Sequence, residues 1–136
     1  MRILSLDHGT RRIGVAVSDE LHIIATPLEY IPAEPMEKVI ERLLQLIREK
    51  EVELLLIGMP RNMDGTYGPA SQKVRDFIAA LAPRITTPVK LWDERLTSVM
   101  ANRALLQGNV RRADRKQKVD KMAAAILLQS YLDARA

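Results

Sequence analysis

The chain has 136 residues, 47% of them apolar and 28% charged, with a net charge of +4 and no cysteine. That length buries one good core rather than two, so a single domain over 1–136 is expected, and no run approaches the roughly 18 apolar residues of a membrane span. Without cysteine there is no disulfide framework, thiolate nucleophile or Cys-type zinc site, and with His8 and His22 as the only histidines a bound metal has to rest on oxygen ligands.

The first residues, Met1 to Asp7, reach a carboxylate too soon for a secretory apolar region, which makes the cytoplasm the expected address. Three short β-type runs follow one another: Ile3 to Asp7, Ile13 to Ser18 and Ile23 to Tyr30. His8-Gly9-Thr10 and Asp19-Glu20 separate them, a pattern that predicts an antiparallel meander. From Met36 the period changes. Met36, Val39, Ile40, Leu43, Leu44 and Ile47 recur at three- and four-residue steps behind Pro35, predicting an amphipathic helix.

Val52 to Ile57 is a short, almost wholly apolar run ended by Gly58 and Pro60, as expected of a central parallel strand covered on both faces. Residues 58–69 hold three glycines and two prolines and form a loop of a length that often carries function. Arg61 and Asn62 in it either contact a nucleic-acid backbone or belong to a plain glycine-rich connection. A second helix is expected from about Ala70 to Leu81, a strand at Val89 to Trp92, and a third helix from Thr97 or Ser98 to Leu106, stopped by Gly108. The last helix is expected from about Lys116 to Asp133, with Val119, Ala123, Ile126, Leu127 and Tyr131 among its apolar positions. Trp92, Phe77 and the methionines are assigned to the core, and His8 to a turn.

Between these helices, Gly108 to Lys121 carries Arg111, Arg112, Arg115, Lys116, Lys118 and Lys121 against Asp114 and Asp120 alone, a surplus equal to that of the whole chain. Such a cluster suits a phosphate backbone, whose neutralisation releases condensed counterions; a solvated loop is the competing reading. Arg11 and Arg12, in the first hairpin, stand equally between phosphate contacts and turn solvation.

The order of elements describes an α/β fold, a mixed five-stranded sheet flanked by helices, in which ligands sit beyond the carboxyl ends of the parallel strands. Asp7 closes the first strand and Glu94 follows the last, so both emerge at one edge if those strands are parallel. Asp120 has Ala123, Ala124, Leu127 and Leu128 at its helical neighbours, which turns it towards the sheet. Singly, these acids read as a turn residue, a partner of Arg95 and a residue near a helix start. Together they form a cluster that needs a cation to stay charged, and oxygen ligands suit Mg²⁺ or Mn²⁺. Metal-assisted hydrolysis of a nucleic-acid backbone is the matching chemistry.

Four stretches in this order, Asp7-His8-Gly9-Thr10-Arg11-Arg12-Ile13-Gly14-Val15-Ala16-Val17-Ser18-Asp19, Gly58-Met59-Pro60-Arg61-Asn62-Met63-Asp64-Gly65, Asp93-Glu94-Arg95-Leu96-Thr97, and Asp120 with Ala123-Ala124, resemble the YqgF/RuvX family of bacteria along essentially the full chain. The resemblance implies an RNase H-like fold and Asp7, Glu94 and Asp120 as catalytic, metal-holding acids. It also implies nucleic-acid contacts through the basic segments, including Arg95. Members are described as Holliday junction resolvases and as nucleases that process the 5′ end of precursor 16S rRNA. Precursor rRNA is the favoured substrate here and branched DNA the alternative, with a ribosomal subunit or its assembly factors as further partners. A monomer is expected over a dimer, because no long apolar surface helix advertises the two-fold pairing that a four-way junction demands.

Two rivals are weighed against this. Asp-x-Gly-Thr followed by an Ile-Gly-Val-Ala-Val strand also resembles the first phosphate loop of actin- and Hsp70-type ATPases. Those need a second domain for which 136 residues leave no room. A catalytically silent nucleic-acid-binding module would keep the basic segment and have no use for the acidic triad.

Overall fold

The computed structural model describes residues 1–9, 11–60, 68–93 and 112–135, with the backbone alone for 112–121. Strand β1 (Arg2–His8) serves two cores, because successive side chains of a strand point to opposite faces. Leu4 and Leu6 enter one apolar cluster, while Ile3 enters the other. Strands β2 (Arg12–Ser18) and β3 (Ala25–Pro32) extend β1 as the expected antiparallel meander. β4 (Val52–Met59) lies on the other side of β1 and parallel to it, and β5 (Val89–Asp93) runs parallel to β4. The sheet order is β3-β2-β1-β4-β5, so the apolar run Val52 to Ile57 is interior, as its composition predicts.

Helices α1 (Met36–Glu49) and α2 (Pro69–Leu81) cover one face of the sheet, and α3 (Arg112–Arg135) covers the other. α1 buries Val39, Ile40 and Leu43 of the expected stripe and Leu46 beside it, with Leu44 and Ile47 partly buried at the margin and Met36 exposed, and α2 adds Val74, Phe77 and Leu81 to the same cluster. Leu43 is fully buried there. Leu43→Ala is therefore expected to destabilise the protein by about 2–5 kcal/mol, the cost of lost transfer energy plus an unfilled cavity. Urea unfolding checks this as a lower midpoint at unchanged slope.

Several boundaries differ from expectation. β3 begins at Ala25 rather than Ile23, because the Asp19 carboxylate accepts the N–H groups of Ile23 (2.7 Å) and Ile24 (3.0 Å) and holds both in the turn. Those bonds, from Ile24 and Ile23, also hold the Asp19 carboxyl below its ordinary pKa. α3 starts at Arg112 rather than Lys116, so the basic stretch from Arg112 onward is helical and not a loop. Met59 is buried and Phe77 wholly so, but Met1, Met36 and Met122 are exposed. Trp92 is half-buried, edge-on to Tyr131 at 5.3 Å with its indole N–H directed at Ser130 Oγ (3.4 Å). The helix expected at 97–106 and the middle of the loop at 58–69 lie outside the described residues.

Candidate active site

Since β1 and β5 both run parallel to β4, the three strands present their carboxyl ends at one edge. Asp7 stands at that edge and is 2% exposed. Its face follows from its neighbours: Ser5, two residues earlier, donates its hydroxyl hydrogen to the Ala124 carbonyl of α3 (2.8 Å), so Asp7 lies on the α3 face as well.

The pairing register shows what flanks it. Asp7 pairs with Gly14 on β2. On β4, the position beyond the Leu6–Ile57 pair is Gly58, which itself pairs with Trp92 on β5. The carboxylate therefore sits between two buried residues that carry no side chain, Gly14 and Gly58. A Cβ at either position would lie on the same face of the sheet as the Asp7 side chain. This is a cradle within the sheet.

α3 runs antiparallel to β1 across this face. Tyr131 shares a small cleft with Ile3, and Ala124 accepts the bond from Ser5, so earlier helix positions lie nearer the carboxyl edge. Asp120 is in the helix, one turn before Ala124; its side chain, with those of Arg112, Arg115, Lys116 and Lys118, lies outside the described residues. Glu94 follows directly on the last residue of β5 and, like Arg61, Asn62, Arg95 and Arg111, also lies outside them.

Of the two hairpin arginines, Arg12 shares the face of Gly14 and Asp7, with its guanidinium 5.7 Å from the Tyr30 ring centre, and Arg11 is exposed in the turn. The turn depends on Gly9, whose N–H donates to the Arg12 carbonyl (2.8 Å); a Cβ there would meet that oxygen at 2.7 Å. His8 ends the strand rather than lying on a turn, and its ring goes to the opposite face from Asp7, tilted against Phe77 at 5.3 Å. Burial pushes the imidazole pKa below its ordinary value against an opposing backbone hydrogen bond, and the charge of Lys73 adds to the lowering.

Among the described residues no three histidine or acidic side chains are grouped to hold a metal, Asp7 being the one side chain of the expected triad that they include. Asp7 itself fits a hard divalent cation. It is a buried oxygen donor at the carboxyl ends of the parallel strands, flanked by two glycines, and carboxylate oxygens suit Mg²⁺ or Mn²⁺. The glycines are what reading the sequence missed as site residues; glycine inside an apolar strand run was the available signal, since it often marks close approach of a ligand or backbone.

Residues 1–134 match the family model described as RuvX, Holliday junction resolvase. A protein of Halothermothrix orenii named "Putative pre-16S rRNA nuclease" is 50% identical over 133 residues, covering 98% of this chain and 95% of that one. A protein of the same name from Desulforamulus reducens is 49% identical over 134 residues, covering 98% of each. Among solved structures, T. thermophilus RuvC in complex with a Holliday junction substrate has a TM-score of 0.61 at 18% identity, covering 99% of this chain and 95% of that one. Fowlpox virus resolvase with Holliday junction DNA has a TM-score of 0.56 at 14% identity, covering 99% of each. At such identities the likeness is one of fold, and the fold is RNase H-like.

Proposed function

The chain belongs to the RuvX family, and from that premise we propose that it is a divalent-metal-dependent nuclease that processes the 5′ end of precursor 16S rRNA. Phosphodiester hydrolysis is what the family description and the relatives' names have in common, and the chain is an enzyme of that class. The observation that carries the metal reading is Asp7, enclosed between Gly14 and Gly58 at the carboxyl ends of the parallel strands. Precursor rRNA is preferred to branched DNA because the relatives named for it are about half identical over nearly their whole length. The resolvases, far more distant in sequence, support the fold alone.

In this reading Asp7, Glu94 and Asp120 hold Mg²⁺ or Mn²⁺ at the edge. The ion supplies charge stabilisation for the reacting phosphate and activation of water. Arg12, on the face of Asp7, and Arg11, exposed beside it, bind the phosphates that flank the scissile bond. Arg61, Asn62, Arg95, Arg111, Arg112, Arg115, Lys116 and Lys118 extend that contact along the strand. The protein works in the cytoplasm as a monomer on a pre-ribosomal subunit, and no helix among the described residues is long and apolar enough to cross a membrane.

The test incubates the protein with Mg²⁺ or Mn²⁺ and end-labelled RNA bearing a precursor 16S 5′ extension, beside a labelled four-way DNA junction. Cleavage of the RNA is the expected result; paired symmetric nicks in the junction would move the substrate to branched DNA, and an intact pair would remove the nuclease reading. Binding should also weaken steeply with salt, and Arg12→Ala should weaken it for every sequence alike, since phosphate contacts carry no sequence information. Gel-shift titrations at two salt concentrations read both effects.

A further inference from the structure

His8 opens onto a cleft on the α1 and α2 face of the same carboxyl edge, with a volume of about 670 Å³. Ala33, Pro35 and Met36 form its apolar wall, and Glu34 together with Lys73 and Asp76 of α2 supplies its polar groups. That volume suits a small organic ligand, and an apolar wall with a few convergent polar groups is how such ligands are held. We propose that this cleft binds one nucleotide of the substrate strand, its base edge meeting Glu34 and Asp76 and its phosphate meeting Lys73. The source of that nucleotide rests on the nuclease reading above.

Three observations carry the assignment. First is position. Asp7 and His8 are consecutive and point to opposite faces, with Cα atoms about 3.8 Å apart, so a strand whose phosphate lies at Asp7 can drop a neighbouring nucleotide over the edge into the cleft. Second is shape: the His8 ring, packed against Phe77, offers a fixed flat surface of the kind on which bases stack. Third is the donor pattern. Two carboxylates repel a bare phosphate but accept hydrogen bonds, which the amino-bearing edges of guanine, adenine and cytosine supply. Uracil offers a single N–H. The Asp76 carboxylate is itself oriented by the side-chain amide of Gln72, which donates to it at 2.9 Å.

The chain holds two histidines, so imidazole NMR separates the cleft from a built-in control. His22 lies at the other end of the sheet, against Glu53 (2.8 Å) and the Met1 carbonyl (3.0 Å). Metal-free protein is titrated with guanosine, adenosine, cytidine and uridine 5′-monophosphates and with inorganic phosphate. The first three should move the His8 resonances saturably while His22 stays still, uridine monophosphate should act more weakly, and phosphate alone should have no effect. Lys73→Ala, at an exposed position, should weaken binding about tenfold.

No movement of His8, movement matched by phosphate alone, or binding indifferent to both Lys73→Ala and Glu34→Ala would overturn the proposal. The cleavage assay run in parallel keeps the two readings apart. Cleavage without a His8 response removes the cleft alone, and a His8 response without cleavage of RNA or junction removes the nuclease alone.

Discussion

Asp7→Asn should slow metal-dependent cleavage by about a thousandfold or more, because several kcal/mol of charge stabilisation are lost and each 1.36 kcal/mol is tenfold in rate. The substitution keeps the shape of the side chain, so the packing between Gly14 and Gly58 survives. It also removes a charge from a site that is 2% exposed, so the thermal stability of the variant is followed alongside its activity. Binding of nucleic acid should persist or tighten, since a negative charge near the phosphates is gone. Single-turnover cleavage of labelled RNA at saturating Mg²⁺, with a melting curve and a gel shift on the same preparation, reads all three. A rate within threefold of the parent would take Asp7 out of the mechanism.

Gly58→Val should be nearly as damaging, for a different reason. Gly58 pairs with Trp92 one position beyond Ile57, and its α3 face adjoins Asp7 from the β4 side. A branched side chain there occupies the space beside the carboxylate while matching the conformational preference of a strand. Overpacking costs about 1–3 kcal/mol, which a folded domain of this size tolerates. The expected result is a folded protein whose Mn²⁺ affinity, measured by calorimetry, and whose cleavage both fall at least about a hundredfold, about 2.8 kcal/mol at the usual tenfold per 1.4 kcal/mol. Gly14→Val tests the same space from β2. Full metal affinity and cleavage in both variants would show that the cradle has no part in the site.

Much of the fold could be read from periodicity, because long amphipathic or apolar runs leave little choice. The stripe of α1, the interior position of β4 and the change from antiparallel to parallel pairing at β1 all follow from hydrophobic pattern and turn residues. Boundaries were less legible wherever a side chain outbids the strand or where charge hides a helix. Asp19 withholds Ile23 and Ile24 from β3 by taking their N–H groups. The start of α3 is masked by its charged surface, although arginine, lysine, glutamine and alanine are all good helix formers.

The candidate site was legible in part. Asp7 could be placed at the end of a strand, but its glycine neighbours could not, because Gly14 lies seven and Gly58 fifty-one residues further along the chain and both meet it only through the pairing register. Alternation along β1 likewise sends His8 to the face opposite Asp7, a separation that adjacency in the sequence conceals. The methionines were misplaced for a simpler reason: an apolar, unbranched side chain fits a core without requiring one, and Met36 instead helps line the cleft.

The most direct test of the account is to crystallise the protein with Mn²⁺ at a concentration that supports cleavage and to locate the ion by its anomalous scattering. The account predicts a peak at coordination distance from the Asp7 carboxylate, with Glu94 and Asp120 completing the oxygen shell. A cleavage-competent crystal whose manganese lies away from Asp7 would contradict it.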